Sequence, residues 1–597
     1  MLNKILFIDL TSKTYSSSDI EVKILFEYLG GLGLGIYHLY QDVSAQINPF
    51  NPLATVGVFC GPVSGTKILG GNRFGLFFKS PLTGIFGETY STGKISNNLT
   101  GLGYIGLIIR GYSEKPTWIL VNENGVEFKD ATGLWGSKVP ETEQAVKKEV
   151  KSKNLGVISI GPAGENLVRY ASVVNDTFFM APRCGGGAVL GSKNLKSIVI
   201  DSPDLNSTRQ GELKAIEEEF IGNCKEKQKL NDPYILAGEL SIIDQANKLG
   251  VFPTRYWSFG SSENYMEFSS EKISSSILED RYGCGDCPLK CKFICRYPDG
   301  KSGAKYHLSY EAVNAFGGIC ELADVTSIAK MNGLCFELGV DPASLGNAIG
   351  FAIEMIGRGK LRLADIPEYG ELKNIMSLAE QICYRDQMGF YFSDGIKIAA
   401  KKINYNNDLI EIKGLEPIGL DPRGLQIYPL FIGVSESGGS HGSSTLYAEE
   451  LFQGYKLSGP DIKISKLVEL TDKISLVNSL MICDILAPLI DWKMMERIAS
   501  STFKVQYGER VLKMISEKII NLLRHFLFRE GLKSSDDILP TVFYEHPILT
   551  GASKGKVLDN AVYKRDLERY YLLRSFSKDG FPLKKTMLDR DPVSYYF

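Results

Sequence analysis

Hydrophobic and polar positions change rhythm twice along the chain. Through residues 1–203, short β-branched and aromatic runs (ILFID, TVGVF, FGLFF, GLIIRG, TWILV, SIVID) are separated by glycine turns. Such runs predict strands, and their close spacing predicts antiparallel sheets in place of βαβ units. A polar, turn-rich stretch around 204–210 (SPDLNSTRQG) marks a boundary. From there to about residue 410 the pattern is helical. Asp341 and Pro342 open LGNAIGFAIEMI, which stops at Gly357: a capping carboxylate, a first-turn proline and a terminal glycine. Residues 411–430 form a loop-like hinge into a third, mostly helical region. There the apolar period of ISKLVELTDKISLVNSLMICDIL predicts a buried helix leading to Cys483. The predicted class is α+β, with a β-rich N-terminal domain (1–203) followed by two mainly α-helical domains (204–410 and 411–597).

Composition narrows the function. The 597 residues are 44% hydrophobic and 23% charged, enough for cores of normal size. Lys plus Arg (67) nearly balances Asp plus Glu (69), so no basic excess exists to neutralise a nucleic-acid backbone. The N-terminal stretch MLNKILFIDLTSKTYSS lacks the features of a signal peptide, and no run of about 18 apolar residues predicts a membrane span. Eleven cysteines in a chain read as cytoplasmic point to metal or redox chemistry before disulfides. Glycine is in surplus at 61 residues, where ordinary usage of about 7% gives roughly 42, and it clusters in loops that bring backbone close to something bulky.

The cysteines carry the strongest signal. Cys284, Cys287 and Cys291 follow C-x2-C-x3-C within YGCGDCPLKC. Thiolates this close repel one another, and burying them is costly without a compensating cation. Three ligands from one loop and one from afar suit a 4Fe–4S cubane, whereas structural zinc usually draws two close pairs. Cys483, at the end of its apolar helix, is the best candidate for the fourth ligand. Cys295 reads as a bystander, and Cys60, Cys184, Cys224, Cys320, Cys335 and Cys383 as packing residues. Gly101, Gly103 and Gly106 spell G-x-G-x-x-G in GLGYIG, but a polar stretch precedes it and a strand follows, the wrong context for a dinucleotide. GGGAVLGSK at 185–193 reads either as an anion-binding loop or as a tight turn between packed elements. Glu311, in SYEAVNAFGG, reads as a solvated helix-start glutamate or as a buried general base with a raised pKa. His441 lies in the glycine- and serine-rich SESGGSHGSST, where no core requires a histidine; His38, His525 and His546 lie among apolar or aromatic residues and read as structural.

In order, GGLGLGIYHLY, GPVSGTKILGGNRFGLFFKSPLTGIFGETYSTGK, APRCGGGAVLGSKNLK, YGCGDCPLKC, SYEAVNAFGG, ELGVDPASLGNAIGF, LDPRG, NSLMIC, FREGLKSSDDILP and YYLLRSFSKDGFP run nearly end to end. This succession resembles the tungsten-containing aldehyde:ferredoxin oxidoreductase family. The resemblance implies a β-rich base under two molybdopterins that chelate one tungsten (or molybdenum), with two helical domains covering the metal. By position, Cys284, Cys287, Cys291 and Cys483 would hold the 4Fe–4S cluster. Glu311 and His441 fall at the family's acid/base pair, with Tyr310 alongside. Arg73 matches an arginine on pterin phosphate, with Tyr90, Thr92, Met180 and Arg183 as further cofactor contacts. The segments Gly339, Val340, Asp341 and Asn478, Ile482, Cys483 match the two pterin motifs.

The pattern is also broken in places. Phe336 and Asn478 stand where both pterin motifs open with Asp, and Phe179 replaces a second arginine. Tyr90 stands for an asparagine that helps hold a bridging Mg2+, leaving backbone carbonyls for that ion. A glutamate and histidine that bridge subunits through iron in some relatives are absent, with Lys330 near the first position. The resemblance implies an aldehyde:ferredoxin oxidoreductase of the EC 1.2.7 type, with ferredoxin or another Fe–S protein as electron acceptor and a homodimeric assembly. Two further readings stay open: a variant reductase of acids or thioesters within a larger electron-transfer complex, and a cluster-only relative that has lost the pterin.

Overall fold

The computed structural model describes residues 2–66, 68–203, 212–230, 232–284, 287–296, 305–362, 367–405, 409–440, 446, 448–452 and 460–583. The boundary stretch at 204–210 and His441 lie outside the described residues.

Each strand-like run of the first two hundred residues forms a strand. The first sheet contains β1 (Lys4–Asp9), β2 (Thr14–Asp19), β3 (Val56–Phe59), β4 (Arg73–Lys79), β5 (Phe86–Thr92) and β6 (Tyr104–Arg110), in the order β2-β1-β6-β3-β4-β5. The second contains β7 (Thr117–Asn122), β8 (Gly125–Asp130), β9 (Leu155–Ser159), β10 (Val173–Asn175), β11 (Phe179–Ala181) and β12 (Leu195–Asp201), in the order β11-β10-β9-β12-β7-β8. The sheets are mixed, not purely antiparallel: β1 runs parallel to β6, and β7 to β12. Parallel partners need a long crossover, and each of these pairs is separated by enough chain to provide one. Spacing between neighbouring runs could not reveal that pairing.

Leu6, Ile8, Val58 and Leu76 of the first sheet join Ile119, Val121, Ile158 and Ile198 of the second in one buried cluster, so the sheets pack face to face. The first sheet's other face is covered by the helix Gly31–Asp42 and by the C-terminal helices Pro460–Leu480 and Glu509–Arg529, through Phe59, Phe77, Leu476, Leu480 and Ile519. A second, larger core is mainly helical. It contains the helices Val325–Leu338 and Pro342–Gly357, the latter capped by Asp341, whose carboxylate accepts from Ala343 N at 3.0 Å. The apolar helix before Cys483 ends at Leu480, three residues short of the thiol.

Two glycine motifs resolve in favour of packing. GLGYIG follows the helix Ile95–Gly101 and leads into β6, the inverse of the strand-then-helix order that a dinucleotide site needs. In GGGAVLGSK, a side chain at Gly187 or Gly191 would collide with the backbone of Ser172 or Gly164. The glycines let a short helix lie against the neighbouring chain, so the tight-turn reading holds.

Candidate active site

A third, small sheet carries the cysteine loop. β13 (Leu278–Tyr282) and β14 (Lys292–Arg296) form an antiparallel pair, and β15 (Lys305–His307) extends it. Cys284, Cys287 and Cys291 lie in the β13–β14 connection. Arg281 pins that loop by donating to Lys290 O and Leu289 O, each at 3.0 Å. Cys483 arrives from the far end of the sequence, its backbone N–H bound to Gly70 O at 3.1 Å. Gly70 has φ +80°, and a Cβ there would press to 2.7 Å from the Cβ of Cys483. Only glycine both adopts this conformation and leaves room for the fourth thiol.

All four cysteines line one open-mouthed cavity. Burial raises each thiol pKa, that of Cys483 to about 12, and the neighbouring thiols of the set add to the rise at Cys291 and Cys483. A set of buried thiols that disfavour one another's ionisation is stable as thiolates only around a cationic centre. Among the described residues, no three His, Cys, Asp or Glu side chains converge tightly enough for a single metal ion. A 4Fe–4S cubane takes four thiolates. The donor set fits the cluster. Cys60, Cys184, Cys320, Cys335 and Cys383 are buried elsewhere, as packing residues are; Cys224, near Cys287, and Cys295, on β14, are buried without lining the cavity.

Two walls flank the thiols. One is polar and belongs to the first sheet. Arg73, at the start of β4, donates from Nη1 to Asn478 Oδ1 at 2.8 Å and to Ile482 O at 3.2 Å. Its guanidinium lies 4.2 Å from the centre of the Tyr90 ring, and Nη2 is 3.8 Å from Asp484. Thr92, at the end of β5, sets its hydroxyl 3.1 Å from Cys284 Sγ. Asn478 spends its Oδ1 on Arg73, and neither it nor Ile482 lines the cavity.

The opposite wall is aromatic. Phe179 packs against Phe178 and Tyr282, with ring centres 4.6 and 5.2 Å away, and Phe336 stacks on Tyr306 at 4.9 Å and 17°. Met180 also lines the cavity. Arg183 and Asp341 reach this side but neutralise each other: Nη1 donates to the Asp341 carboxylate at 3.0 Å, both groups being buried. Arg183 also donates to Ser344 and to the carbonyls of Glu416 and Gly439. Its Nε is buried and has no partner among the described residues. Gly339 caps the helix Val325–Leu338 in the left-handed region, and Val340 pairs with Ala171; neither lines the cavity. A polar cofactor thus finds donors and acceptors on the Arg73 side, while on the Phe179–Phe336 side the charged lining groups, Arg183 and Asp341, are paired with each other.

Glu311 lines the cavity from a short helix, Tyr310–Val313, that runs directly into a π-helical turn, Asn314–Ile319. Such turns recur at functional sites. Ser309 caps the helix by accepting from Ala312 N at 3.2 Å. Burial, reinforced by the nearby Glu239 carboxylate, lifts the Glu311 pKa to about 8. By exposure the carboxyl is half-buried at the helix start, and its raised pKa suits a general base. Tyr310 points the other way: its ring is in the helical core against Phe252, and its hydroxyl donates to Gly419 O.

Three cavity residues escaped sequence reasoning: Glu239, Lys292 and His307. His307 Nε2 sits 2.6 Å from Glu239 Oε1 and 3.2 Å from Lys292 Nζ, which is itself 3.3 Å from Glu239 Oε1. The available signals were the position of Lys292 directly after Cys291 and the scarcity of histidine.

The chain is similar to known proteins over nearly its whole length. The family model for the N-terminal domain of aldehyde ferredoxin oxidoreductase matches residues 5–202, and that for domains 2 and 3 matches residues 216–589. Tungsten-containing aldehyde ferredoxin oxidoreductase of Pyrococcus furiosus is 30% identical, over 97% of this chain and 98% of its own. The protein of that name from Thermococcus kodakarensis is 30% identical over 93% of each chain. An aliphatic sulfonate oxidoreductase, WOR-like subunit, of P. furiosus is 27% identical over 98% and 96%. The solved active-site complex BamBC of benzoyl coenzyme A reductase superposes with a TM-score of 0.83, covering 100% of this chain and 97% of that one at 23% identity, which speaks for the fold. No helix among the described residues is long and apolar enough to cross a membrane.

Proposed function

Because the chain belongs to the aldehyde ferredoxin oxidoreductase family, we propose that it oxidises an aldehyde to a carboxylate and passes the electrons singly to ferredoxin. The convergence of Cys284, Cys287, Cys291 and Cys483 with Glu311 on one cavity carries this reading. The four thiols would hold a 4Fe–4S cluster. Arg73 and Thr92 would hold the nearer part of a molybdopterin-bound tungsten or molybdenum, with Asn478 orienting Arg73 from behind. When bound, these groups supply the two-electron redox change and its division into single-electron steps.

The overall reaction is RCHO + H2O → RCOO− + 3H+ + 2e−. Glu311 handles protons within it. With a pKa of about 8 it is mostly protonated at neutral pH and donates a hydrogen bond to a carbonyl oxygen. Once ionised, it takes a proton from the water that adds to the carbonyl carbon. Phe179, Phe336, Ile242 and Leu486 line the same space and exclude bulk water from the reacting carbonyl. His441, assigned by resemblance, is the second proton-handling group in this scheme.

The aromatic wall favours a second reading, in which altered cofactor contacts suit reduction of an acid or thioester within a larger electron-transfer complex. Anaerobic purification, elemental analysis and aldehyde-dependent viologen reduction discriminate. The first reading expects about four irons and one tungsten or molybdenum per chain, with dye reduced on adding aldehyde. Full metal content without aldehyde activity, and copurifying Fe–S or flavin subunits, would transfer the case to the second. Iron alone would defeat both.

A further inference from the structure

Lys292 is the first residue of β14 and follows Cys291 directly, yet its ammonium turns into the cavity alongside the thiols. It is held there by the carboxylate of Glu239 at 3.3 Å and the ring of His307 at 3.2 Å. Glu239 sits next to Gly238, where a Cβ would come within 2.9 Å of the Cβ of Cys291, so the carboxylate is tied closely to the cysteine loop. His307 is fixed by β15 pairing with β14, Ile294 opposing it. An ion pair serving only to hold the fold has no need of an open cavity beside it. This one lies on the wall that carries Cys284, Cys287, Cys291 and Cys483. The Glu239 carboxylate pairs with the Lys292 ammonium and keeps it facing the cavity. Burial and the same ammonium push His307 down, so the ring contributes shape and a hydrogen bond in place of a second charge.

We propose that Lys292, positioned by Glu239 and His307, is a fixed cation that biases the 4Fe–4S cluster toward its reduced form; this rests on the cluster reading above. A cubane that accepts one electron, delivered from the oxidised aldehyde and later surrendered to ferredoxin, gains one unit of negative charge with no bond made or broken. A cation on its flank stabilises that added charge, and the low dielectric of a buried wall amplifies the effect. Glu239 tempers it, because its anion stands behind the ammonium. The two residues therefore act on the cluster with opposite sign.

The test is an EPR-monitored redox titration of the anaerobically purified holoprotein. Lys292→Gln is expected to weaken cluster reduction about tenfold, which for a one-electron couple is a fall of about 59 mV. Lys292→Arg should stay within about twofold of the unaltered protein, because the charge is kept. Glu239→Gln should move the potential upward. A Lys292→Gln potential equal to that of the parent, or a downward shift in Glu239→Gln, would overturn the inference. If Lys292→Gln fails to retain iron, the arginine and Glu239 variants carry the test with the same expected signs. Absence of a cubane signal in the unaltered protein would instead defeat the cluster reading itself.

Discussion

The two walls of the cavity are built from similar materials and behave differently. On the first-sheet side, Arg73 spreads its donors over Asn478 and Ile482, stands near Asp484 and lies over Tyr90, so a polar group arriving there meets partners already oriented. On the other side the charged groups, Arg183 and Asp341, are spent on each other, and the facing surface is Phe179, Phe336 and Met180. Asp341 has a second local duty as the cap of the helix Pro342–Gly357. A carboxylate that must both cap a helix and neutralise a buried guanidinium has little left for a ligand. The contrast shows how one cavity can keep a polar anchor next to the thiols while its far side becomes a hydrophobic face.

Breaking the thiol set has the largest expected effect. Cys483→Ala removes the one proposed ligand that comes from the C-terminal third, so cluster iron, visible absorbance and turnover should all be lost; a variant with four irons and full activity would exclude Cys483 as a ligand. Glu311→Gln should lower kcat by about 10²–10⁴-fold with metal content unchanged. Because the parent's carboxyl titrates near pH 8, a role as base gives activity that rises with pH through about 8, and that rise should vanish in the variant. A flat parent profile would remove Glu311 from proton transfer.

The walls themselves can be compared by stability. Asp341→Ala leaves the Arg183 guanidinium buried without its counter-ion, at a cost of about 3–5 kcal/mol. Phe336→Leu loses only the stacking on Tyr306, about 0.5–1.5 kcal/mol. Denaturant midpoints measure both, and a reversal of their order would mean that the Arg183–Asp341 pair is not the keystone of that wall.

Local features were legible without the fold. Strand runs such as FGLFF and the capped helix after Asp341 depend on the alternation of neighbouring side chains and on a carboxylate two residues from its N–H donor. The thiol spacing at 284–291 likewise belongs to one loop. Pairing across the chain was not legible. The parallel alignment of β1 with β6 depends on a crossover that no local pattern encodes, and the turn of Tyr310 into the core depends on Gly419 waiting more than a hundred residues downstream.

The sequence by itself therefore determined the element types, the cysteine loop and the family, because these rest on short-range geometry and on the order of motifs. Only the tertiary structure decided that Glu239, Lys292 and His307 meet beside the thiols and that Arg183 closes on Asp341. Those contacts join residues from 53 to 158 positions apart, apart from the Lys292–His307 neighbours on adjoining strands. Charges so distant in the chain acquire meaning only when packing removes the water between them.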